Sequence, residues 1–175
     1  MRSMGPHLRH SMLIVHILCS VGWIGAVAAY TALGVAAAVS ADAETVRASW
    51  LAMELTGWWV IVPFGCSTLV TGLVMSLGTV WGLLQHYWVV IALVLTTIAL
   101  TVLVLHMPVV SQTAAAMRTA DDVTAAGAGG DVVHPTLGLV VLVVVAVLNV
   151  VKPKGMTPWG YRQRARLVRP ARRRS

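Results

Sequence analysis

The chain has 175 residues, 58% of them hydrophobic and only 11% charged, with a formal net charge of +7. A mean hydropathy of +0.81, with a charged share well below the roughly 25% of soluble domains, excludes an ordinary soluble globular fold. The excess positive charge is concentrated after the last apolar stretch, which reads as membrane topology and does not suggest nucleic-acid binding; no nucleic-acid partner is expected.

Four stretches reach the length, roughly 18 apolar residues, that marks a transmembrane helix: residues 12–39, 57–77, 87–107 and 135–151. The predicted fold is an all-α, up-down-up-down transmembrane four-helix bundle. It comprises a short N-terminal segment (1–11), a membrane domain (12–151) and a basic tail (152–175). A β-rich alternative fails because an open sheet cannot satisfy its backbone in lipid.

His7 and His10 in the N-terminal segment read as hydrogen-bonded interfacial side chains. The first apolar run continues to Val39, far past the roughly 7–15 residues of a signal-peptide core, so it reads as a retained helix. At 100° per residue, Met12, His16, Cys19, Trp23, Ala26 and Tyr30 share one face. Leu13, Ile17, Ile24 and Val35 form the opposite, lipid-suited face. Histidine at membrane depth is costly and marks a functional-site hypothesis. Cys19 and Cys66 lie within predicted helices and read as free thiols.

The first connection, residues 40–56, begins with a helix-start signature at Ser40–Ala41–Asp42. That start extends the second helix outward and places Trp50, Trp58 and Trp59 in the interfacial aromatic belt. Pro63 predicts a kink, while Gly65, Thr68 and Gly72 offer a close-packing face. The second connection is short and uncharged, so its flanking helices are expected to be antiparallel neighbours. In the third helix Trp88, Ala92, Thr96, Ala99, Leu103 and His106 form a stripe, and His86 is expected to cap the inner end. Residues 108–134 read as the longest loop, made flexible by "TAAGAGGD". His134–Pro135 opens the fourth helix, with Gly138, Val141 and Val145 on the His134 face and Asn149 somewhat off it. "KPKGMTPWG" ends it.

All six acids fall in the first and third connections, whereas nine Lys and Arg residues follow the fourth helix. The positive-inside rule therefore predicts that both termini are cytoplasmic. The tail "GYRQRARLVRPARRRS" reads as an orientation signal. Its alternative role is attraction to anionic lipid, at about 1 kcal/mol per basic residue.

Depth pairs His16 with His86 on one side of the bilayer and His106 with His134 on the other. Histidines on facing helices are the pattern of bundle cytochromes, which points to haem b. Copper is the competing reading: Met12, His16 and Cys19 at i, i+4 and i+7 are soft ligands suited to Cu(I), with His106–Met107 as a second soft pair. No catalytic set is apparent. Glu54 is the only acid expected near a span, so a carboxylate proton relay is not expected.

His16, with Trp23 and Gly25 following, and "HYWVVIALVL" at the start of the third helix carry a family resemblance. The chain resembles the small bacterial four-helix membrane proteins grouped around the copper-resistance D domain and the haem-binding protoporphyrinogen oxidase. More closely it resembles a branch of that group without an assigned function. That likeness rests on Gly22–Ala29, the Thr71–Val89 hairpin, His106 and the Lys152–Gly160 exit, and covers most of the chain outside the third connection. The resemblance implies that His16 is a haem ligand. Where the oxidase has its second key residue, a lysine, this chain has Ala92, which neither ligates nor carries charge; protoporphyrinogen oxidation is therefore not implied. It also implies a multi-pass protein of the bacterial cytoplasmic membrane.

The expected function is an inner-membrane haem b redox protein using His16, His106 and His134, with His86 a further candidate. The alternatives are a copper-handling protein at Met12, His16 and Cys19, or a packing subunit in a homo-oligomer or larger membrane complex.

Overall fold

Pro6 supplies the fixed φ and missing N–H suited to a first helical turn, and α1 runs from there over Pro6–Val39. The computed structural model describes residues 5–78, 83–119, 123, 130–153 and 155–162. After α1 come α2 (Ala43–Thr56), a π-helical turn (Gly57–Ile61), α3 (Val62–Gly78), α4 (Tyr87–Thr119) and α5 (Val133–Val151). Because α2, the π turn and α3 are continuous, there are four membrane-length helices. The chain is an all-α four-helix bundle and an integral, multi-pass membrane protein; among the described residues there is no strand. The basic tail beyond Arg162, and with it the expected lipid contact, lies outside the described residues.

Helix α2 starts where the sequence signals it. The Asp42 carboxylate accepts hydrogen bonds from the Thr45 N–H (2.9 Å) and the Thr45 hydroxyl (2.6 Å), meeting one of the first turn's unpaired donors. Pro63 produces a π turn rather than a bare kink. The Val62 N–H bonds back to the Gly57 carbonyl, one residue further than in an α-helix, immediately before the residue that has no N–H to give. A Cβ on Gly57 would overlap the Met107 thioether, so the missing side chain seats that methionine.

Three expectations are overturned here. The third helix does not end near Met107: α4 continues through Pro108 to Thr119. Its extra turns bury Val110, Ala114 and Met117, and the core they join includes Val46, Trp50 and Met53 of α2. That packing offsets the backbone bond Pro108 cannot make. Trp50 accordingly sits in the core and not in an aromatic belt, whereas Trp58 and Trp59 are exposed. Ile24, expected against lipid, packs partly buried on the core.

The first-helix stripe is deepest at Trp23 and Tyr30, with Met12, His16 and Cys19 half-buried. Trp23 lies against α3 at Gly65, where a Cβ would come within 3.0 Å of the indole. At the end of the bundle carrying the tail, the exit segment is tied to the turn before α4. The Thr157 N–H donates to Gln85 O (2.9 Å), the Tyr87 N–H to Gly155 O (3.4 Å), and the Thr157 hydroxyl to Leu84 O.

Candidate functional site

The opposite end holds a polar cluster built from three helices. Tyr30 of α1 is buried, and its hydroxyl donates to Asp131 Oδ2 at 2.8 Å. His106, on the expected α4 stripe, places Nε2 2.8 Å from the same oxygen. His134, at the start of α5, brings Nδ1 to 3.6 Å from Asp131 Oδ1. The two imidazoles stack with ring centroids 4.0 Å apart and 22° between planes. Burial is graded: the side chains of Asp131, His106 and His134 are 6%, 17% and 55% exposed.

Asp131 reaches this position through two glycines. Gly130 adopts φ +55°, a left-handed conformation that glycine accepts at no steric cost. A Cβ on Gly34 of α1 would overlap the Asp131 carbonyl oxygen, and one on Gly130 would overlap the Gly34 carbonyl. The segment before α5 therefore lies directly on the backbone of α1, and the carboxylate is pressed between Tyr30 and His106.

Asp131 Oδ2 accepts two hydrogen bonds, so His106 Nε2 carries the proton there. In the neutral imidazole Nδ1 is then left with a lone pair. One donor atom from each of His106, Asp131 and His134 lies within 4.8 Å of the others. Among the described residues this is the only group of three or more His, Cys, Asp or Glu side chains close enough to share an ion. Two imidazoles and a carboxylate suit borderline divalent first-row ions, and the Tyr30 hydroxyl is placed to orient the carboxylate.

Below the cluster lies a cavity of about 270 Å³ between α1, α4 and α5. Its walls are apolar, including Trp23, Ile61, Ala99, Leu103 and Leu142, and its polar side chains all belong to the cluster apart from the Trp23 indole.

The structure thus brings His106 and His134 together but not with the other histidines. His16 Nδ1 lies 2.9 Å from the Thr71 hydroxyl, in the contact of α1 with Gly72 of α3. With Thr71 donating to Ser67 O (2.7 Å), its oxygen is the acceptor for His16. His86 stands before α4, pairing its backbone with Met156. In the copper set, Cys19 is a free thiol and His16 Nδ1 is taken up by Thr71. His7 and His10 are exposed.

Sequence reasoning passed over Asp131 and Tyr30 as site residues. The acid it placed nearest a span, Glu54, pairs with Arg118 at 2.5 Å on the exposed flank of α2 and α4. The carboxylate that enters the bundle is Asp131, so the expectation of no interior acid is corrected. Its signal in the sequence was the i, i+3 spacing to His134 after a Gly-Gly pair.

No protein-family model, curated protein or solved structure matches the chain. The likeness to the haem oxidase group therefore rests on the motif residues alone. The fold and the cluster define a multi-pass membrane protein with a His/Asp/His donor set at one end of its bundle.

Proposed function

We propose that this chain is a metal-binding protein of a bacterial cytoplasmic membrane, with a single divalent first-row ion held by His106, Asp131 and His134. One observation carries the reading: three side chains from two helices and a connecting segment converge their donor atoms within 4.8 Å. With helices running up-down-up-down and the basic tail inside, the cluster faces the exterior. The half-exposed His134 gives an ion a path from water and leaves room for a non-protein ligand, as in sites with open coordination positions.

The geometry favours an ion over haem. Axial histidines of a haem face each other across the macrocycle, whereas the His106 and His134 rings stack face to face on one carboxylate. His16, hydrogen-bonded to Thr71, belongs to the other half of the bundle.

The test is titration of purified, chelator-stripped protein with Co(II) and Zn(II). The expected result is one equivalent bound, with affinity falling at least about a hundredfold in His134→Ala, a half-exposed ligand whose loss leaves the core intact. Failure of the unaltered chain to bind either ion, or unchanged binding in His134→Ala, overturns the reading. The oxidised and dithionite-reduced absorbance spectra run alongside: a Soret band lost in His16→Ala supports haem b instead. Cu(I) binding lost in Cys19→Ser but retained in His134→Ala supports the copper set.

A further inference from the structure

We propose that the cavity beneath the cluster binds a lipid-soluble, single-ring phenol, hydroquinones included, whose hydroxyl donates to Nδ1 of His106. The inference uses the metal-free cluster and does not depend on the ion proposed above.

The distribution of polarity comes first. The cavity is apolar along its length, and Tyr30, His106, Asp131 and His134 stand together at one end. Such a space fits a molecule that is mostly hydrocarbon with one polar terminus. Access follows from the walls. Ile98, Val102 and Leu137 line the cavity and are also about half exposed on the lipid-facing surface of α4 and α5. A ligand dissolved in the bilayer therefore reaches the cavity between these helices without crossing water.

Size narrows the class. A dry cavity of about 150 Å³ holds benzene, so about 270 Å³ accommodates one substituted ring.

Hydrogen bonding selects the terminus. His106 gives its Nε2 proton to Asp131, and among the described residues its Nδ1 has no partner. A free imidazole acceptor at the polar end of an apolar cavity is satisfied by a ligand O–H and left unsatisfied by an ether or a carbonyl. An ion on Nε2 would transfer the imidazole proton to Nδ1, reversing the preference toward a carbonyl. The metal state of the cluster and the chemistry of the ligand are thereby linked.

The experiment uses the full chain in lipid nanodiscs with EDTA present, so that failure of the metal reading leaves it unaffected. Tritiated 4-hexylphenol is titrated, and unlabelled 4-hexylphenol and 4-hexylanisole compete for it. One saturable site is expected, with the methyl ether about tenfold weaker because it has lost the donor. Gly138→Phe is expected to abolish binding; Gly138 lines the cavity and its Cβ direction is open. The competition is made on the unaltered chain, so the inference remains testable if that variant fails to fold. Absence of a saturable site, equal competition by the ether, or undiminished binding in a folded Gly138→Phe protein overturns it.

Discussion

Near the tail end of the bundle, the His16 side chain meets the Thr71 hydroxyl, in a contact where α1 approaches a glycine of α3. At the other end, His106 is held by a carboxylate that also takes a tyrosine hydroxyl and faces a second histidine. Exposed apolar side chains flank both histidines, Ile14, Leu18 and Val21 at one end and Val102, Leu105 and Val109 at the other, but where α2 packs on α4 the Met53, Met107 and Met117 side chains are fully enclosed. Helix length explains the contrast. The 33 residues of α4 extend about 50 Å, against a hydrocarbon core of about 30 Å. The far turns of α4, with Arg118, and the first turns of α2, with Glu44 and Arg47, therefore leave the lipid. Water drives apolar burial there, whereas in hydrocarbon helix association relies on close contact and hydrogen bonds.

The largest expected effect comes from the glycine that seats Asp131. Gly34→Ala places a methyl group into the Asp131 backbone, which must withdraw from α1 and take its carboxylate away from Tyr30 and His106. Destabilisation of about 1–3 kcal/mol is expected, together with loss of ion binding. Gly25→Ala is the matched control on the same helix: nothing lies within 4 Å of its Cβ position, and the better helix propensity of alanine makes a neutral or slightly stabilising outcome the expected one. Thermal unfolding in detergent and the Co(II) titration measure both. Equal behaviour of the two variants would remove the distinction between the ends.

This glycine contact also explains what the sequence concealed. The four spans, the inward Trp23 and Tyr30, and the shared end of His106 and His134 follow from hydropathy and helical period, which are local properties. Asp131 is different. It lies in a connection, and its burial depends on Gly34 and Gly130 meeting across about a hundred residues of chain, a contact with no periodicity to read. The continuation of α4 past Pro108 was hidden for a similar reason: proline argues locally for an ending, and only the apolar face of α2 outweighs it. His16 was legible as an inward residue. Its partner was not, because threonine in a transmembrane helix ordinarily bonds its own backbone, as Thr71 also does with Ser67.

His16→Ala tests the tail half. It removes one hydrogen bond and a packing contact with Gly72, and side-chain hydrogen bonds between membrane helices average about 0.6 kcal/mol. A loss on the order of 1 kcal/mol is expected, with metal binding at the far cluster unchanged. A collapse of that binding in His16→Ala, measured by the same titration, would show that the two ends are coupled and that the contrast between them is not a division of roles.

The smallest effect separates two aspartates. Asp131 is enclosed, whereas Asp42 is solvent-exposed and serves α2 as its N-cap. Hydrogen bonds from the Thr45 hydroxyl and N–H hold the Asp42 carboxyl below its ordinary value. The folded chain therefore binds that proton less readily than the unfolded chain. The stabilising contribution is fully present above the ordinary aspartate range and is lost as pH falls through the lowered value. The protection of the Thr45 amide, its exchange rate relative to the intrinsic rate at the same pH, is expected to fall in acid below that range, and Asp42→Ala is expected to show the lower protection already at neutral pH. Neither change should reach the proposed ion site, because among the described residues Asp42 shares no partner with His106, Asp131 or His134. If Asp42→Ala weakened Co(II) binding as Gly34→Ala is expected to, the site would depend on the helix start of α2, and the seat of Asp131 on α1 would no longer suffice to explain it.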